Sequence, residues 1–212
     1  MGASHEELVD RARQLAPAIA RRAELAETLR RPPDETIAEL VDAELLSILV
    51  PRRWGGHELS IHTHREVTEI VSAACVSTGW IFAFYSGHNW MAVKFSEEAQ
   101  REVFADRGHA LIPITNVPPM QARRVDGGMV VSGRAQWGSG IVHADWVSVN
   151  GLCPDGSRHH FLVPAADTTL VDTWHMAAMA GTGSHDFRLD DVFVPEHRIL
   201  AAAEFRSGDT EG

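Results

Sequence analysis

The chain has 212 residues, 44% of them hydrophobic and 23% charged, the balance of an ordinary globular protein with room for one large or two small domains. Nineteen basic residues stand against 29 acidic ones, a net charge of −10 with histidine neutral, which disfavours nucleic acid as the main partner because phosphate binding needs a basic surface. Met1 to Asp10 is acidic and lacks the apolar core of a signal peptide, and no run reaches the roughly 18 apolar residues of a membrane span, so no membrane partner and a cytoplasmic location are expected.

Glu6 to Leu29 carries apolar residues at helical spacing (Leu8, Ala12, Leu15, Ile19, Leu25, Leu29), with Pro17 as a possible kink. Pro32-Pro33 breaks the chain, and Asp34 is expected to cap a second helix with Ile37, Leu40, Val41 and Leu45 on one face. Pro51 ends it, and Trp54-Gly55-Gly56 reads as a turn. A third helix is expected from Ser60 to about Cys75, and a fourth from Thr78 to Phe95 with Ser77 as its cap. The fourth is apolar nearly all round and should be buried. Ser96-Glu97-Glu98 opens a short fifth helix, with a cap and two acids at its positive end.

From about residue 109 the apolar period changes to two. Asp126-Gly127-Gly128 reads as a hairpin turn between 122–125 and 129–133. Further strands are expected at 144–152, 159–163, 169–174 and 187–194, with Asp155-Gly156 as another turn. Helices first and strands second make an α+β chain, an all-helical domain followed by a small antiparallel β-barrel or sandwich. The expected units are 1–107 (helical), 108–200 (β) and 201–212, a small and polar linker or tail.

Several chemistries lack their signatures. There is no GxGxxG after a strand, no P-loop and no GxSxG elbow. Cys75 and Cys153 are isolated, His62 and His64 point in different directions on a helix, and His159 and His160 point to opposite faces of a strand, so no metal site is expected. Three features remain. Trp80, Phe84 and His88 recur every four residues on one face of the fourth helix, with Trp90 just beyond; such a stripe is usually core, but a histidine in it needs a partner or a role. Trp137-Gly138-Ser139-Gly140 ends a strand with an aromatic plane, a hydroxyl and backbone N–H groups that a planar ligand can approach. Gly181-Thr182-Gly183-Ser184 offers backbone donors and two hydroxyls. Each is open to a purely structural reading, as core or as a plain loop.

Taken together and in order, these residues resemble the acyl-CoA dehydrogenase superfamily, and within it the oxygenase components of two-component flavin-dependent aromatic monooxygenases of the 4-hydroxyphenylacetate, secosteroid and polyketide hydroxylase type. The matching segments are Leu49-Val50-Pro51 with Trp54-Gly55-Gly56; Ser77-Thr78-Gly79-Trp80; His88-Asn89-Trp90-Met91; Arg124 to Gly128; Gly133 to Gly140 with His143 to Trp146; Asp172 to His175; Gly181 to Ser184; and Asp190 to Pro195. Together they span most of residues 35–200.

The resemblance implies reduced FMN or FAD, diffusible and supplied by a flavin reductase, bound between the helices and the β-domain. It assigns cofactor contacts to Trp80, Thr115, Asn116, Trp137, Gly138, Ser139, Gly140 and Thr182. Phe84, His88 and Trp90 would line the pocket of a small aromatic substrate, with His88 on its hydroxyl and Ser139 near flavin N5; His88 and Ser139 are therefore the expected catalytic residues. The implied reaction with O2 passes through a flavin C4a-hydroperoxide. A homotetramer is implied too. The family's C-terminal four-helix bundle has no counterpart in this sequence, so that bundle, or a second chain supplying it, is an expected partner. Two other readings stay open: an acyl-CoA dehydrogenase-like flavoprotein with bound FAD, disfavoured by Ile112 to Asn116 and by Gly138, and a non-catalytic fragment or binding module.

Overall fold

The structure, a computed structural model, describes residues 2–104 and 107–207. The helical half begins with α1 (His5–Arg21), whose Ser4 and Glu7 form a reciprocal capping box. α1 runs through Pro17, and the break falls instead at Arg22, before α2 (Ala23–Leu29). The Arg22 side chain is tied to Thr36 and Glu39 of α3 (Asp34–Asp42). That tertiary anchor leaves no trace in the hydrophobic period. Asp34 is the first residue of α3 rather than its cap, a position taken by Pro33.

α4 (Ile61–Ala74) and α5 (Val76–Ala92) pack side by side, and α6 (Glu97–Phe104) follows. The N-cap of α5 is Cys75, in extended backbone, so Ser77 lies inside the first turn with its hydroxyl on Glu27. Ser96 does cap α6 by accepting the Ala99 N–H at 3.3 Å. At Gly79 α5 approaches α4 closely: a Cβ there would sit 2.5 Å from the Cα of Ser72.

The β half is one seven-stranded sheet: β1 (Ile114–Val125), β2 (Gly128–Gly138), β3 (Trp146–Leu152), β4 (Arg158–Pro164), β5 (Thr169–Val171), β6 (His185–Pro195) and β7 (Ile199–Ala201), in the order β5-β6-β2-β1-β3-β4-β7. It is antiparallel throughout except where β1 runs parallel to β3. The β1–β2 hairpin turns on Asp126 and Gly127, the latter with φ of 75°. Residues 202–207, within the expected tail, form α7. The rest of the expected tail, 208–212, lies outside the described residues, as do Met1, 105 and 106.

The helices bury one apolar cluster, including Leu8, Ile19, Leu45, Ile81 and Phe82, and the sheet buries another, including Val131, Val149, Phe161 and Phe187. A third joins the halves: Ala92, Phe95 and Phe104 pack with Ile112, Leu162 and Leu200. Asn89 adds a buried polar clamp, donating to the Leu46 carbonyl and accepting the Ala110 N–H, both at 3.0 Å. These contacts bring the middle of α5 against the start of β1. No described helix is long and apolar enough to cross a membrane.

Candidate functional site

α5 is not covered all round. Its Ile81, Phe82, Tyr85, Ser86 and Asn89 side is buried, while Trp80 is 45% exposed and Phe84 and His88 are half-buried. The stripe is continuous. The Trp80 and Phe84 rings lie 4.8 Å apart at 58°, and Phe84 stacks on His88 at 5.0 Å and 17°. His88 Nδ1 lies 2.6 Å from the Ile112 carbonyl, just before β1. A carbonyl only accepts, so Nδ1 carries the proton and Nε2 presents its lone pair. Burial pushes the pKa of His88 down to about 4; the Ile112 carbonyl opposes that shift and His64 adds slightly to it. At neutral pH His88 is thus an uncharged acceptor held at one angle.

The second half of the site is the end of β2. Trp137 has φ of 59° and is 61% exposed, an uncommon backbone state for a bulky residue. It is held there by Asp186, which accepts the Trp137 N–H at 3.3 Å and pairs with Arg134 at 2.8 Å. Gly138 pairs with His185 of β6, over the Phe187 ring. Gly140, with φ of 83°, donates its N–H to the Thr182 carbonyl at 3.1 Å and accepts the Tyr85 hydroxyl. A side chain at Gly140 would run into the Tyr85 phenol. Ser139 meets α5 directly: Trp80 Nε1–H donates to Ser139 Oγ at 3.2 Å. On its other side Ser139 Oγ lies 2.7 Å from Ser184 Oγ, which lies 2.7 Å from Thr182 Oγ1.

The structure therefore brings Trp80, Phe84, His88, Trp137, Gly138, Ser139, Gly140 and Thr182 to the junction of α5 with the end of β2. Thr115 and Asn116 lie on β1. Thr115 is buried and paired with Val149, and Asn116 is exposed. Both sit at the end of β1 that adjoins the end of β2, but neither has a hydrogen bond to Ser139 or His88. Trp90 is not with the stripe. Its ring stacks under the Lys94 ammonium at 4.6 Å, and that same ammonium sits 5.1 Å from the Phe205 ring of α7.

Four supporting residues were outside the expected set. Ser184 lies in the Gly181–Ser184 turn, a visible signal. Tyr85, Asp186 and Glu27 had none. Glu27 of α2 accepts the Ala180 N–H at 2.7 Å, the Gly181 N–H at 3.1 Å and the Ser77 hydroxyl, which pins the turn carrying Thr182. Arg30, at the end of α2, grips Asp172 with its two terminal guanidinium nitrogens and holds its carboxyl down to about 2. The Trp174 indole that follows donates to the Met179 carbonyl at 3.0 Å. Asp172 to His175 thus braces the same turn. Elsewhere, His62 does not converge with His64; it stacks on His5 at 5.2 Å beside Glu66, in an ion-pair group that also holds Arg13 and joins α1 to α4.

Residues 2–107 match the model of the acyl-CoA dehydrogenase N-terminal domain. The whole chain is 45% identical to a pigment production hydroxylase of Rhodococcus sp. (strain ATCC 21145), of which it covers 56%. Over 98% of its length it is 36% identical to the oxygenase component of the FADH(2)-dependent resorcinol hydroxylase of Rhizobium sp. (strain MTP-10005), covering 52% of that protein. Among solved structures, the HsaA monooxygenase from M. tuberculosis superposes with a TM-score of 0.94 at 33% identity, over 98% of this chain and 58% of that one. XiaF from Streptomyces sp., solved with FADH2 and glycerol, gives 0.90 at 35%, over 95% and 52%. The chain spans about half the length of the relatives it matches. By its helical half this chain belongs to the acyl-CoA dehydrogenase family, and its likeness to proteins named as flavin-dependent monooxygenases continues through the sheet.

Proposed function

We propose that this chain is the flavin- and aromatic-binding half of the oxygenase component of a two-component flavin-dependent monooxygenase that hydroxylates a phenolic or polyketide aromatic. The observation that carries this reading is the neutral His88, its Nε2 lone pair unengaged by any described residue, at the end of an aromatic stripe whose other end is hydrogen-bonded to Ser139. A phenol needs such a site: a ring surface to lie on and an acceptor for its hydroxyl proton.

The residues fit a reduced flavin. The Trp80 and Trp137 indoles, both substantially exposed, flank a buried serine hydroxyl, which suits a planar ligand with polar edges. Trp80, Trp137, Gly138, Ser139 and Gly140 would hold it, with Thr115, Asn116 and Thr182 alongside. Bound reduced FMN or FAD supplies the electrons that activate O2, one atom of which enters the ring. The chain's own residues orient and shield. His88 Nε2 accepts the phenol O–H and fixes which ring carbon faces the oxidant, Phe84 stacks on the ring, and Trp80 keeps water from its edge.

A flavin reductase is the partner this chemistry requires, since the flavin must be reduced anew for each turnover. Assembly as a tetramer, or a further helical domain, would cover the exposed indoles. Two free, buried cysteines support a reducing, cytoplasmic setting.

The test is an anaerobic titration with reduced FMN or FAD, followed by a substituted phenol. Saturable flavin binding is expected. His88→Ala should weaken phenol binding about tenfold, the worth of one hydrogen bond to a buried group, and leave flavin binding unchanged. Absence of saturable binding of any flavin would overturn the reading. Equal binding of a phenol and its methyl ether by the unaltered protein would remove His88 from it.

A further inference from the structure

The hydroxyls of Thr182, Ser184 and Ser139 form a line whose direction is fixed at one end. Thr182 Oγ1 lies 3.0 Å from the Met179 carbonyl, which can only accept, so the Thr182 proton is spent there. A hydroxyl has one proton. Towards Ser184, at 2.7 Å, Thr182 must therefore accept, and the Ser184 proton is spent on it. Towards Ser139, again at 2.7 Å, Ser184 must accept in turn, and the Ser139 proton is spent as well. Trp80 Nε1–H then donates into Ser139 Oγ, leaving one lone pair. The Ser139 N–H is also occupied, on the Trp137 carbonyl at 2.8 Å. All three hydroxyl residues are buried, so water does not reverse the line, and Glu27 anchors the turn that starts it.

The geometry points to Ser139 as an acceptor-only group in the flavin site, with Ser184 and Thr182 as the positioning residues that set its direction, so that the site selects reduced over oxidised flavin. The inference rests on the proposed flavin site. Reduced flavin carries an N–H at N5, and oxidised flavin carries a lone pair there. An acceptor-only Ser139 pairs with the first and faces the second with an unpaired lone pair in a dry site, which costs binding. The redox state of the ligand would thus be read by the Ser139 hydroxyl, whose proton is committed to Ser184 in a line whose direction is set at the Met179 carbonyl.

The chain's affinity for oxidised and for dithionite-reduced FMN, and likewise for FAD, would be measured anaerobically by equilibrium dialysis and by quenching of tryptophan fluorescence. The unaltered protein should bind the reduced form at least about tenfold more tightly, one hydrogen bond's worth. Ser184→Ala takes away the acceptor of the Ser139 proton. Thr182→Val keeps the side-chain shape but frees the Ser184 proton to turn towards Ser139. Both release Ser139 to donate, so both should bring the ratio of affinities towards one by strengthening oxidised-flavin binding, a gain that mere loss of structure cannot produce. Thr182→Ser keeps the hydroxyl and should keep the ratio. Flavin binding with no preference for the reduced form, or a preference unmoved in both Ser184→Ala and Thr182→Val, would overturn the inference while leaving the flavin site standing. Failure to bind either form would remove the site and the inference together.

Discussion

His88 is held neutral by its surroundings, and this has a measurable cost in acid. Its folded pKa of about 4 lies below the ordinary 6.5. Between those values the unfolded chain binds a proton at this position that the folded chain does not, so stability from this group rises as pH rises from about 4 to 6.5 and is level above. Urea unfolding at pH 7, 5.5 and 4.5 should therefore show stability falling with pH. His88→Gln should fall less steeply over the same range, because one such proton is gone. Equal slopes would mean that His88 is not shielded as the structure has it. Other histidines, among them His64, His109 and His143, are pushed down by burial too, so the difference between the two proteins is the informative quantity. Legibility at this scale follows sequence separation. His88, Trp80 and Ser139 stand out as polar or aromatic residues in informative local patterns, and the family resemblance adds their roles. The direction of the Ser139 hydroxyl depends on residues 43 and 45 positions away in the chain, and nothing local to Trp137–Gly140 encodes it.

At the scale of the element, period and punctuation locate helices and strands well but say little about which face stays open. The all-round apolar character of α5 predicts full burial, yet Val76, Trp80 and Trp90 are exposed, because apolar residues are equally at home under a ligand or a partner surface. The side that is buried depends on close approach. A Cβ at Gly79 would meet Ser72 of α4, so Gly79→Ala should force α4 and α5 apart and cost about 2 kcal/mol. A denaturation midpoint equal to that of the unaltered chain would show that the two helices do not depend on this contact. Glu27 makes a separate prediction for α2. Glu27→Ala strands the N–H groups of Ala180 and Gly181, both buried, at about 1–3 kcal/mol for a buried donor left unpaired. Hydrogen exchange at those two amides should accelerate well beyond that of the β2–β6 ladder. Uniform acceleration over the whole molecule would instead mean that the turn has no stability of its own to lose.

For the whole molecule, the change of period near residue 109 marks a helical half and a β half. The two halves share a core. Leu162 of β4, 1% exposed, lies in one cluster with Phe95, Ala99 and Phe104 from the helical half and with Leu200 from the last strand. Asn89 satisfies two backbone groups 64 residues apart, one on each side of α5. The site itself is a product of this junction, since His88 takes its orientation from the chain entering β1 and Ser139 takes a hydrogen bond from α5. Neither half holds its own part of the site without the other. Leu162→Ala tests that coupling: it removes a buried leucine from the shared cluster and should cost about 3 kcal/mol. Because the cluster belongs to both halves, far-UV circular dichroism, dominated by the helices, and the exchange of β2–β6 amides should report the same loss. If the sheet loosens while the helical signal keeps its midpoint, the halves are independent, and the geometry of His88 against Ser139 would have to be fixed by something other than this core.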